Sequence, residues 1–150
     1  MNAFSGVDVH LPIQFRKEFH EYCLTRTGGS RPNPELSPFP RMVDMWFLAV
    51  GLAVKEKLKP KIESKGGETY KAIEGNVFGS DDWRSDALML IAIAHEGDIS
   101  IAKKPNDMMR IANGYALAGL PRLIDVLENR KGDTTLDHLC DYLLELLKND

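Results

Sequence analysis

The sequence predicts a mainly α fold: a compact array of about six helices with one short N-terminal β-strand. Two observations carry that reading. Apolar residues recur at spacings of three and four through most of the chain, the period of a half-buried helix. Glycine and proline interrupt these runs at intervals that suit helices of ordinary length. At 150 residues, with 43% hydrophobic and 27% charged residues, the chain suits one domain with its own core. We divide it into a strand and helix over 1–29, a proline-rich loop over 30–40 and a helical core over 41–150.

Val7, Val9 and Leu11 alternate with Asp8 and His10, a period of two that gives a short strand over Val7–Leu11. Pro12 ends it, and Phe15, Phe19, Tyr22 and Cys23 then mark one stripe of a helix from about Ile13 to Thr25. Gly28-Gly29 stops that helix, and Pro32, Pro34, Pro38 and Pro40 hold the next stretch out of regular structure. A second helix, from about Pro40 to Leu58, is apolar on nearly every face, which places it at the centre of the core or at an interface.

From Lys61 to Gly79 the periodicity fades, predicting a loop with at most one helical turn around Tyr70. Ser80 opens a third helix, with Asp81 and Asp82 suited to its dipole; it runs to Glu96 and closes at Gly97. A fourth is expected from Asp107 to Ala118, ending at Gly119, and a fifth from Pro121 to Asn129 or Arg130. Thr134 and Asp137 resemble a capping box for the sixth. Leu136, Leu139, Cys140, Leu143, Leu144 and Leu147 are its expected buried stripe.

The net charge is −3, divided unevenly: residues 1–60 hold eight Lys/Arg against six Asp/Glu, residues 61–150 eleven against sixteen. The whole-chain balance therefore argues for solubility and gives no general case for a polyanion partner. The densest basic run is Lys55, Lys57, Lys59 and Lys61. Two cysteines, Cys23 and Cys140, supply no disulfide framework, and the start MNAFSGVDVH lacks an export signal, so a cytoplasmic setting is expected. No apolar run approaches the ~20 residues that span a bilayer, so no membrane partner is expected.

Catalytic signatures are missing from the pattern. His20 and Cys23 share a helix face but lack further ligands for a tetrahedral metal site, and His138 and Cys140, two apart, diverge. His95-Glu96 lacks the second histidine of a zinc-protease helix, and a histidine suits a helix C-terminus electrostatically. Gly28-Gly29 and Gly66-Gly67 are isolated pairs and cradle no phosphate. Asp81, Asp82 and Asp86 are acids where a helix N-terminus collects them. A non-enzymatic protein with no metal and no cofactor is expected.

The opening VDVHLPIQFRKEFHEYC, an alternating strand, Leu-Pro and an amphipathic helix, resembles a ribbon-helix-helix protein. That resemblance implies strands paired across a dimer, with exposed side chains, here Asp8 and His10, reading the major groove. A second resemblance covers more of the chain. The order SPFPRMVDMWFLAVGLAV, DALMLIAIAHEGD, MMRIANGYALAGLPRLID is similar to small proteins associated with bacterial DNA phosphorothioation (Dnd-type) gene clusters. The last element is represented by Ala112-Asn113-Gly114-Tyr115-Ala116. Membership implies a role in modification-linked defence against foreign DNA and transfers no catalytic residue.

Two functional readings follow. In the first, an accessory protein contacts DNA through a basic face built from Arg16, Lys17, Arg26, Arg31, Arg41, Lys55, Lys57, Lys59 and Lys61, with strongly salt-dependent affinity. Cations near a helix end also suit its dipole, so the lysine run has an ordinary explanation too. In the second, the chain is a protein–protein adaptor or a subunit of a homo-oligomer or larger assembly, with Trp46, Trp83 and Asn113 as partner-binding residues. For Asn113-Gly114 the alternative is internal: a glycine within a helix costs about 1 kcal/mol relative to alanine, which close packing offsets.

Overall fold

The computed structural model describes residues 2–24, 33–62, 67–80, 82–129 and 134–148. Arg26, Arg31, Gly28-Gly29, Lys65, Asp81 and Lys131-Gly132 lie outside the described residues. The fold is mainly helical: β1 (Val9–Pro12), α1 (Arg16–Tyr22), α2 (Met42–Lys55), β2 (Thr69–Ile73), α3 (Asp82–Glu96), α4 (Pro105–Glu128) and α5 (Thr135–Lys148). Short 3-10 segments precede α1, α3 and α4.

The core is the crossing of α2 and α4. Val43, Trp46, Ala49, Val50 and Ala53 of α2 are buried with Met108, Ala112, Ala116, Leu120 and Leu123 of α4. The alanines let the two backbones approach, and Gly119 completes the approach: a Cβ there would lie 2.1 Å from the Ala49 carbonyl oxygen. This packing explains why two expected helices are one. Gly119 does not end α4, and Pro121 lies inside it, on the exposed surface. Pro121 removes the bond to the Leu117 carbonyl. Leu120, Leu123 and Leu127, all buried, hold the helix on course beyond it.

Helix α1 is shorter than expected. Cys23 leaves it in an extended conformation and bridges Phe39, with Leu24 N–H donating to the Phe39 carbonyl and Phe39 N–H to the Tyr22 carbonyl. The described part of the proline-rich loop is therefore packed; Ser37 is buried and its hydroxyl donates to the Glu21 carbonyl. At the far end of α2, Lys57 adopts φ 56°, a left-handed turn that ends the helix before Leu58.

The stretch around Tyr70 is a strand, not a loop with a helical turn. β2 pairs antiparallel with β1 in the register Val9↔Ile73, His10↔Lys71, Leu11↔Tyr70 and Pro12↔Thr69. The strand expected to pair across a dimer finds its partner in its own chain. Asp8, expected to face outward toward a groove, accepts from the Gly75 backbone N–H at 2.7 Å.

Helix α5 is capped as its sequence indicates, with Asp137 N–H donating to the Thr134 hydroxyl. Its stripe is only partly covered. Leu139 is buried and Leu136 and Leu143 half-buried, while Cys140, Leu144 and Leu147 are exposed. The 3.6-residue period marks an apolar face without saying how much of it a neighbour covers, and α4 covers only one side. Among the described residues, no helix is long and apolar enough to cross a membrane.

Candidate functional site

A cleft of about 470 Å³ opens where β1, the start of β2 and the outer side of α4 meet. Its volume falls in the ordinary range for ligand sites. One wall is His10 and Pro12 of β1 with Ile13 and Gln14 after them. Gly67, Glu68 and Thr69 lead into β2 beside it. Arg110, Asn113, Gly114 and Leu117 of α4 form the opposite wall, and Lys61 reaches in from the connection after α2.

Each wall has a local cause. Arg110, Asn113, Gly114 and Leu117 stand at i, i+3, i+4 and i+7, which is one face of a helix. Gly114 lets the extended segment after α2 pass close to that face. A Cβ at Gly114 would meet Pro60 Cβ and Ile62 Cγ1 at 3.1 Å, and the Lys61 N–H donates to the Gly114 carbonyl at 2.8 Å. Asn113 ties the floor together. Its Oδ1 accepts from Trp46 Nε1 at 3.0 Å, and its Nδ2 donates to the His10 carbonyl at 2.8 Å.

Among the described residues, two cations, Lys61 and Arg110, line the cleft against one carboxylate, Glu68. Arg110 is held only loosely by Asp107, at 3.7 Å between exposed groups, so its donors remain largely available. Gln14 and Thr69 add neutral hydrogen-bonding groups. His10 and Lys71 are cross-strand neighbours, both exposed, and extend the polar rim along the outer sheet face. Chemically, the arrangement offers convergent donors to an oxyanion. Among the described residues, no group of three or more His, Cys, Asp or Glu is placed to hold a metal ion. Cys23 is buried with its thiol 3.9 Å from Met45 Sδ, and His95 sits edge-on to Tyr115.

Of the expected basic residues that the structure describes, Lys61 alone lines this cleft. Arg16 lies over the Tyr70 ring at 5.7 Å, and Tyr70 points to the opposite side of β2 from Thr69. Arg41 opens α2 and Lys55 closes it, a separation of about 20 Å along the helix. Arg41 belongs instead to a carboxylate at that end: Asp44 accepts from the Arg41 N–H at 2.9 Å and from Arg84 Nη2 at 2.7 Å. Lys17, Lys57 and Lys59 are exposed and Lys55 half-exposed. The described residues of the expected basic face are therefore spread over at least the length of α2, and the cleft gathers one of them.

The expected partner-binding residues also separate. Trp46 is wholly buried, because its indole N–H has an internal acceptor in Asn113. Asn113 spends both ends of its amide on internal bonds. Trp83 is different: it is 62% exposed, edge-on to Phe47 at 5.4 Å, with the buried Arg84 guanidinium 4.6 Å from its ring. Sequence reasoning missed Arg110, although its three- and four-residue spacing from Asn113 and Gly114 was a usable signal.

Residues 30–149, four-fifths of the chain, match the family model described as DNA sulphur modification system-associated protein 4. No curated protein and no solved structure matches it.

Proposed function

The chain belongs to the DNA sulphur modification system-associated protein 4 family, and from that membership we propose a non-catalytic accessory subunit that contacts the DNA backbone. The coarse role, an accessory protein of a DNA sulphur modification system, is what the family description states. The observation that carries the finer reading is the convergence of Lys61 and Arg110, 49 positions apart in sequence, on one cleft with Gln14 and Thr69 beside them. Cations with neighbouring neutral donors are how proteins hold phosphate oxygens without reading sequence. The role suits a cytoplasmic component of modification-linked defence. Fluorescence anisotropy with labelled duplex DNA at two salt concentrations tests it. Binding that weakens steeply with salt and is lost in a Lys61→Glu, Arg110→Glu variant supports the reading. Wild-type binding unaffected by that pair, or no binding at low salt, overturns it.

A second reading, an adaptor, is favoured by a separate observation: the exposed apolar outer face of α3 around Trp83 and Leu90.

A further inference from the structure

Much of the cleft's polar inventory is already spent inside the protein. The His10 carbonyl is taken by Asn113, and the other end of that amide by Trp46. The Ile13 N–H donates to the Glu68 carbonyl at 3.0 Å, and the Gly114 carbonyl accepts from the Lys61 N–H. Pro12 has no N–H to offer. Pro12, Ile13 and Leu117 thus form an apolar stretch of the lining, with Ile13 still 45% exposed.

The charged groups lie apart from part of that stretch. Arg110 and Leu117 are seven residues apart on α4, about 10 Å along its axis. Among the described lining residues, two cations against Glu68 leave a surplus of one positive charge. That matches a diester with its single negative charge better than a monoester, which carries about −2. None of the described lining residues is Phe, Tyr or Trp, so unstacked bases find no stacking platform there.

We propose that the cleft prefers a phosphorothioate diester of the DNA backbone to the plain phosphate, with oxygen toward Lys61 and Arg110 and sulphur against Pro12, Ile13 and Leu117. This rests on the reading of the cleft as a backbone site. Exchanging one non-bridging oxygen for sulphur keeps the negative charge, and so keeps the attraction to the cations. Sulphur is more polarisable than oxygen and a weak acceptor. It loses little where no donor is on offer, and it gains by exchanging water for apolar contact. A phosphate oxygen turned to the same lining is a stronger acceptor left without a donor. The family description names a system that modifies DNA with sulphur, so this class of ligand is at hand where the chain acts.

The test compares short duplexes of one sequence by competition fluorescence anisotropy with the full chain. One duplex is all phosphate; two others carry phosphorothioates of a single configuration along one strand. A chiral cleft receives sulphur from one side, so one configuration should bind about fourfold tighter than phosphate, the effect of burying a methylene-sized group. Ile13→Gln and Leu117→Gln should bring that ratio toward one, with circular dichroism confirming each fold. Lys61→Gln should weaken binding of both duplexes and keep the ratio. Equal binding of phosphate and phosphorothioate, still dependent on Lys61, overturns this inference and leaves the backbone reading standing. An equal preference for both configurations overturns it too, as does a ratio unmoved by Ile13→Gln and Leu117→Gln. Binding of no duplex overturns both.

Discussion

The indole N–H of Trp46 on α2 donates to the side-chain oxygen of Asn113 on α4 at 3.0 Å, between the core and the floor of the cleft. The same amide donates to the His10 carbonyl on β1 at 2.8 Å. One side chain thus connects two helices and the small sheet, and it supplies the polar partner that a fully buried tryptophan needs.

Replacing Asn113 with alanine strands the Trp46 N–H and frees the His10 carbonyl. A buried donor left unsatisfied costs about 1–3 kcal/mol, and we expect a loss of about 2–3 kcal/mol in urea denaturation followed by circular dichroism. Asn113→Asp keeps the acceptor for Trp46 and should lose less than the alanine variant. Equal losses would show that the indole bond contributes little.

Two glycines in the α2–α4 pair should respond in opposite directions. A Cβ at Gly119 collides with the Ala49 carbonyl, and helix backbones cannot yield as a flexible side chain would. Gly119→Ala should therefore destabilise by about 3 kcal/mol or more. Gly51 is exposed on α2 with nothing within 4 Å of its added Cβ, so Gly51→Ala should stabilise by about 0.5–1 kcal/mol. Thermal melts of the two variants beside the wild type check both signs.

Tyr70 lies beneath Arg16 with its hydroxyl buried and, among the described residues, without a hydrogen-bond partner. Burial is the main cause that pushes its pKa up to about 12; nearby Cys23 adds to the rise, and Arg16 opposes it. The folded state therefore favours the neutral phenol, and that contribution is complete below pH 10 and lost as pH rises toward 12. Tyr70→Phe should be neutral or stabilising by up to about 1 kcal/mol at pH 7. Its advantage over the wild type should widen between pH 10 and 12, read as the difference in denaturation midpoints. A variant that melts below the wild type at neutral pH would show that the hydroxyl has a partner.

At the cleft, neutralising single cations should change the salt dependence of DNA affinity as well as the affinity. Lys61→Gln and Arg110→Gln should each reduce the slope of log K against log salt by about 1 if each contacts a phosphate. Arg41→Gln, at the other end of α2, should leave the slope unchanged. Parallel losses in all three variants would point to general charge attraction instead of a defined cleft.

Much of the helical scaffold is legible in the sequence because α2 and α3 are long apolar runs bounded by proline or glycine. β2 was not legible. Its residues Thr69 and Lys71 pair with β1 at the surface and Ala72 falls at a register shift, so only Ile73 carries the mark of full burial. The joining of α4 across Gly119 and Pro121 was hidden for another reason: its cause lies 70 residues away, in the Ala49 backbone that only a glycine can approach. Local propensity argues for a break there, and tertiary packing overrides it. The cleft was legible in two residues, Lys61 and Asn113. Convergence of Arg110 upon it depends on how the segment after α2 crosses α4, which no local pattern encodes.

The cleft's two sides stand differently to the family match. The match covers residues 30–149, while His10, Pro12, Ile13 and Gln14 lie before it. The α4 wall and Lys61 lie within the matched residues, and the facing wall is held beside them by the pairing of β1 with β2. His10, Ile13 and Gln14 are exposed. Their side chains can be exchanged without disturbing Val9 and Leu11 beneath them. The shape and charge of that wall are therefore adjustable independently of what keeps the protein folded, as a jaw can be reshaped without altering the hinge.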